Sequence, residues 1–193
     1  LDEYRVILEN VCSVRMVDLE NLAPLQNCDL VMGGIVTAVR EGYTKTGKPY
    51  GIAKVEDYSG ASEFAFFGNE WIEKKNFFSV GMFLYMKGKC QPKQWKQNEL
   101  EVKVNSIELL PDVKDEVIEK LTVSAPLNEI SDEFIEEFSS LVKANPGNVA
   151  LHFYVKDEEG QHVTLTSRDL KISLHKDIIA YLKAQTMLSY KIN

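Results

Sequence analysis

The sequence predicts a mainly β chain of α+β character, in which a five-stranded Greek-key barrel is followed by a small α+β domain. Three observations predict it. Residues 30–110 hold five strand-like runs with one helical stretch between the third and fourth. Gly33-Gly34 supplies the sharp bend that a small barrel needs at a corner. At Pro111 the composition turns charged, and a new alternation of helix and strand patterns begins.

Each element has a local reason. The apolar run 30–39 is strand one. Residues 40–49, rich in Gly, Thr and Lys, read as a mobile cationic loop, and alternation resumes at 50–55 as strand two, ending near Glu56. Asp57-Tyr58-Ser59-Gly60 is a turn, and the aromatic-rich run 63–67, bounded by Gly68, is strand three. Asn69 caps a short helix through Phe77, with Glu70 and Glu73 near its positive end and Trp71 and Ile72 placed to plug the barrel. Residues 80–90 and 100–109 are strands four and five, flanking a loop at 91–98. Five strands with a helix after the third are the arrangement of the OB fold, a barrel that usually binds a ligand and in which two loops flank the binding face.

Beyond the barrel, 112–125 reads as a linker. Ser131 caps a helix with Phe134, Ile135, Phe138, Leu141 and Val142 on one face and acidic residues on the other. Asn145-Pro146-Gly147 stops it. A strand at 149–155, a turn at 157–160 and a returning strand at 162–166 follow, which sets His162 opposite Val155. A short strand at 170–172, a helix opened by Ser173 with Ile178, Ile179 and Leu182 inward, and a strand at 187–192 complete the reading. Four segments result: an N-terminal extension (1–29) packing on or leading into the barrel, the barrel (30–111), the linker (112–125), and an α+β module (126–193) suited to protein docking.

Charge and cysteine content exclude some functions. The net charge of −7 argues against nucleic acid, but 30–110 carries 11 Lys+Arg and 9 Asp+Glu, so the acid sits outside the barrel. Arg40, Lys45, Lys48, Lys93 and Lys96 fall in two loops expected to be neighbours in space. Tyr43, Tyr50, Phe64, Phe66 and Trp95 are candidate stacking residues for bases, whereas Phe67 reads as structural. Cys12, Cys28 and Cys90 lack metal-ligand spacing and read as buried reduced thiols in a cytoplasmic protein. Neither an export signal nor an apolar run long enough to span a membrane is found.

The stretch GGIVTAVREGYTKTGKPYGIAKVEDYSGASEFAFFG, the following GMFLYMKGKC and the strand ending VNSIELL resemble the OB domain near the C-terminus of the bacterial replicative DNA polymerase III alpha subunit family. Leu1-Asp2-Glu3-Tyr4 resembles the end of the HPLxxY segment that precedes this domain in that family. The resemblance covers about residues 1–111 in detail and the rest by position. It implies a fragment of a DNA-directed DNA polymerase, a nucleotidyltransferase whose catalytic core lies upstream of Leu1. It further implies an OB domain contacting single-stranded template DNA, and a C-terminal module binding the tau subunit of the clamp loader and other replisome subunits. The reachable C-terminal residues Tyr190, Lys191 and Ile192 are the candidate docking contacts.

No catalytic constellation competes. Gly42-x-x-x-x-Gly47-Lys48 follows a phosphate-binding loop until Pro49 replaces the hydroxyl residue and a strand replaces the helix. His152, His162 and His175 do not converge as metal ligands, and Asp57 next to Glu56 is explained by the turn. The chain is therefore expected to be noncatalytic, without metal, cofactor, membrane or small-molecule substrate. Two other readings stand beside this one: an RNA-binding OB module such as an anticodon-binding domain, and a barrel that binds only protein.

Overall fold

The computed structural model, which describes all residues except Leu1, Asp115 and His175, divides into two compact units, Leu1–Lys114 and Asp115–Asn193. In the first, helix α1 (Arg5–Asn10) precedes strands β1 (Asp29–Tyr43), β2 (Pro49–Glu56) and β3 (Ala61–Phe67). Helix α2 (Asn69–Lys74), strands β4 (Phe83–Pro92) and β5 (Leu100–Leu109) and the short helix α3 (Leu110–Val113) follow. The five strands form one antiparallel sheet in the order β3-β2-β1-β4-β5. This is the arrangement of an OB fold.

β1 is longer than its sequence suggests, because its cationic stretch stays paired: Arg40 lies opposite Ile52 and Tyr43 opposite Pro49, leaving only 44–48 as the tip. Length forces it to bend. A bulge falls between Val36 and Ala38, and at Gly34 a Cβ would stand 2.5 Å from the Glu56 carbonyl oxygen, so only glycine lets β1 and β2 close there. The concave side is apolar. Leu30, Met32, Val36, Ala53, Val55, Phe64, Phe66, Leu84, Met86 and Val104 are buried together. Trp71 of α2 plugs this core over Gly51, whose missing side chain makes the room, and stacks on Phe78 at 6.0 Å. Ile72, read from the sequence as a second plug, is 52% exposed; one residue along a helix turns a side chain by about 100°.

The N-terminal segment is fastened to the barrel. Tyr4, Ile7 and Leu8 are buried, and the Tyr4 ring lies 4.9 Å from that of Phe83. Asp57 is the fastener. Its Oδ2 accepts from the Met16 amide at 2.9 Å, while its Oδ1 accepts from the Ser59 amide and hydroxyl and the Gly60 amide. Both oxygens of this carboxylate serve the turn or the N-terminal segment, which gives Asp57 a structural task.

The second unit holds strands β6 (Lys120–Pro126), β7 (Pro146–Lys156), β8 (His162–Ile172) and β9 (Ser189–Ile192), with helices α4 (Asp132–Ala144) and α5 (Lys176–Ala184). The sheet order is β8-β7-β6-β9, with β6 and β7 parallel through the α4 crossover. Residues 120–125, read from the sequence as linker, are instead an inner strand. Their alternation of Leu121, Val123 and Ala125, all buried, outweighs the Ser124-Ala125-Pro126 break.

Ser131 caps α4 by accepting from the Phe134 amide at 3.1 Å. Phe138 is the hub of the unit, 5.6 Å from Phe134, 5.7 Å from Phe153 and 6.0 Å from Tyr181. Ile135 turns away and is 48% exposed, contrary to its predicted place on the inward face. β8 runs unbroken through 167–169 with irregular pairing, and His162 lies opposite Lys156 rather than Val155 because the turn extends to Gln161, whose carbonyl accepts from the Asp157 amide.

Candidate nucleic-acid interface

Strand parity sorts the candidate residues. On β2, Gly51, Ala53 and Val55 face the core, so Tyr50, Ile52, Lys54 and Glu56 form the outer face. On β3 the inward residues are Phe64 and Phe66, 5% and 2% exposed. Both were candidates for stacking on bases, and neither is accessible. The outward aromatic is Phe67, 55% exposed and read from the sequence as structural. It pairs across the ladder with Tyr50, the two rings 6.1 Å apart. With Ile52 opposite Ala65, they make a small apolar patch on the outer face of β2 and β3.

The cations around this patch differ in freedom. Arg40 Nη2 donates to Glu63 Oε1 at 2.9 Å, and Lys54 pairs with Glu56 at 2.9 Å. Hydrogen bonds from Lys54 and Thr37 hold the Glu56 carboxyl below the usual carboxylate range. Lys45 and Lys48, at the tip of the β1–β2 hairpin, are exposed and make no ion pair. Tyr43 is 77% exposed, but it shares parity with Val39 and Glu41 and so points to the opposite side of the ribbon from Tyr50.

At the other candidate loop, Trp95 is 91% exposed on the β4–β5 hairpin. Its two lysines are not free. Lys93 Nζ and Lys96 Nζ donate to the two oxygens of Glu99 at 2.8 and 2.9 Å, which holds the Glu99 carboxyl below its ordinary range. The two loops also leave β1 at opposite ends, since Tyr43 borders one tip while Asp29 pairs with Lys89 near the other.

Solvent and salt screen exposed ion pairs of this kind, so a phosphate can displace the carboxylates at little cost. Phe67 and Lys54 were the residues that sequence reasoning missed. The signal was present: in Phe64-Ala65-Phe66-Phe67, a period of two cannot bury both Phe66 and Phe67.

Residues 30–110 match the family described as OB-fold nucleic acid binding domain, and residues 121–193 match that of the DNA polymerase III alpha subunit, C-terminal domain. The DNA polymerase III subunit alpha of Haemophilus influenzae is 23% identical over 163 residues, covering 83% of this chain. The chain is similar to the C-terminal region of a DNA polymerase III alpha subunit. It spans 14% of the length of that relative.

In the second unit the predicted docking residues of the C-terminus are only partly available. Ile192 pairs with Leu121 in the β6–β9 ladder and is 6% exposed, so it belongs to the core. Tyr190 is half-buried and Lys191 exposed on the same edge strand. A groove of about 300 Å³ lies elsewhere in the unit, lined by Glu129, Glu133, Glu137, Phe134, Tyr181 and Met187. Tyr181 donates its hydroxyl hydrogen to Glu137 at 3.1 Å, and burial followed by that carboxylate pushes the phenol up.

Among the described residues no group of three His, Cys, Asp or Glu is placed to hold a metal, and no helix is long and apolar enough to cross a membrane. His175 lies outside the described residues. The cysteines are free and differ in environment: Cys90 is buried, Cys12 half-buried and Cys28 exposed, the last contrary to the sequence reading. Burial, and then Asp57, pushes the Cys12 thiol up to about 12.

Proposed function

We propose that the barrel binds single-stranded DNA across the outer face of β2 and β3, with bases stacking on Tyr50 and Phe67. Lys45 and Lys48 follow the phosphates. The observation that carries this reading is the outward Tyr50–Phe67 pair, with Phe67 exposed and Tyr50 half-buried, next along the hairpin from two exposed lysines that pair with no described carboxylate, on the face through which OB folds take oligonucleotides. Few free cations mean few released counterions, so affinity is about micromolar or weaker and its salt dependence is shallow, about 0.7 in log–log slope per lysine.

The chain supplies binding, and the nucleotidyl-transfer chemistry belongs to other parts of the longer alpha subunit. The second unit docks another replisome subunit, for which the tau subunit of the clamp loader is the reading that the sequence resemblance suggests. The acidic groove with Phe134, Tyr181 and Met187 suits a cationic, apolar segment of that partner. The cytoplasm is the compartment in which such a subunit works.

Fluorescence anisotropy of labelled oligo-dT and oligo-rU tests the DNA reading. Phe67→Ala with Tyr50→Ala should weaken oligo-dT binding that Phe77→Ala leaves unchanged. A preference for rU would favour the RNA-binding reading, and no binding at low salt would favour a protein-only barrel. For the partner, Glu133→Lys with Met187→Glu should release tau in a pull-down; retained tau would place its contact outside this groove.

A further inference from the structure

The second unit is acidic, with 8 Lys+Arg against 13 Asp+Glu over 115–193. Its sheet is not. The strands β6, β7 and β9 contain no Asp or Glu, and β8 contains only Asp169, in its irregular stretch. Register places the strand lysines together. Leu121, Val123, Leu151 and Val155 are buried on the face that meets the helices, so Lys120, Thr122, Ser124, His152, Tyr154 and Lys156 lie on the other. Lys171 pairs opposite Ala150, Thr166 opposite His152, Thr164 opposite Tyr154 and His162 opposite Lys156, which extends that face across β8. Lys191, opposite Thr122, extends it across β9.

Lys120, Lys156, Lys171 and Lys191 are all exposed, and among the described residues none of them makes an ion pair. Between them lie rings and hydroxyls. Tyr154 and His162 are 5.0 Å apart at 31°, and the His152 ring nitrogen lies 3.4 Å from the Thr166 hydroxyl. The turn carboxylates of Asp157, Glu158 and Glu159 border one end, and the exposed Asp169, two residues from Lys171 on β8, stands near the other.

We infer that this open sheet face is a second binding surface for single-stranded DNA, separate from the barrel. Four unpaired cations select a polyanion, and the Tyr154–His162 ring pair offers planes on which bases stack, which an acidic peptide would not use. DNA rather than RNA is the occupant because the chain belongs with a DNA polymerase subunit.

The test uses the full chain with the barrel face silenced by Tyr50→Ala, Phe67→Ala, Lys45→Gln and Lys48→Gln. That protein should still bind labelled oligo-dT at low salt, and a bromodeoxyuridine oligonucleotide should crosslink within residues 150–166. Adding Lys156→Gln and Lys171→Gln should weaken binding at least about tenfold and lower the log–log salt slope by about 1.4, roughly 0.7 per cation removed. Both lysines are exposed, so the melting curve should be unchanged. The proposal is overturned if the lysine pair has no effect, if crosslinks fall only within residues 1–114, if oligo-rU binds better than oligo-dT, or if poly-glutamate competes as well as DNA. Failure of the barrel reading shows separately, as unaltered binding in the barrel-silenced protein when the sheet-face lysines still matter.

Discussion

The barrel and the sheet of the second unit invert what their net charges suggest. The barrel stretch is mildly basic, yet three of its five candidate loop and strand cations are held by carboxylates: Arg40 by Glu63, and Lys93 and Lys96 by Glu99. The second unit is acidic, yet its open sheet face carries four lysines that pair with no described carboxylate, because the acid, Asp169 apart, lies outside the strands. Binding potential therefore follows strand parity and pairing rather than a module's total charge. The aromatics repeat the lesson, since the barrel's exposed ring is the one residue of its phenylalanine cluster with the opposite parity.

The largest test of this contrast separates inward from outward rings. Phe66→Ala should cost about 3–5 kcal/mol of stability, as removal of a buried aromatic does. Phe67→Ala should cost under about 1 kcal/mol by denaturant titration, because its ring is mostly in water already. Oligonucleotide affinity should respond in the other direction. Phe67→Ala should lose about 1–3 kcal/mol, the worth of one stacked base. Equal stability losses at the two positions would mean that parity does not separate core from face.

A smaller effect comes from releasing the restrained cations. Glu99→Gln should free Lys93 and Lys96, tighten oligo-dT binding a few-fold and steepen its salt slope by up to about 1.4, or roughly 0.7 per lysine. Unchanged affinity would take the β4–β5 hairpin, with Trp95, out of the interface.

Thiol chemistry sharpens the distinction between covered and open positions within the barrel unit. At neutral pH the exposed Cys28 should react with a disulfide reagent, while Cys90 and Cys12 should wait for unfolding, Cys12 because its thiol ionises only near pH 12. Rapid modification of more than one thiol in the folded chain would contradict the packing.

The smallest effect is a pH dependence. Burial pushes the Glu70 carboxyl up, but hydrogen bonds from Lys74 and Lys103 outweigh it and leave the carboxyl below its ordinary range. A depressed folded-state pKa gives stability that is present above the unfolded value of about 4.3 and lost as pH falls through the folded value. Glu70→Gln should flatten that acid limb of the stability curve.

Much of the molecule was legible in its sequence because it rests on short-range chemistry. Five strands and the helix after the third follow from local periods, the β2–β3 turn from Asp57 and Gly60, and the start of α4 from Ser131, which needs only the amide three residues on. The plug also followed, since Trp71 lies on a short amphipathic stretch next to strand three. These interactions reach no further than a few residues, so composition and spacing determine them.

Tertiary structure alone decided the rest. Whether Phe64, Phe66 or Phe67 meets water depends on which side of β3 the core covers, and that side is set by packing against Trp71 and Phe78, not by β3 itself. Whether Lys93 and Lys96 are free depends on where the hairpin closes on Glu99. The change of residues 120–125 from linker to inner strand, and of Ile192 from docking residue to core, depends on β6 pairing with strands 30 and 71 residues away. Pairing over such distances is fixed only when whole faces are buried together, which no local window of sequence records.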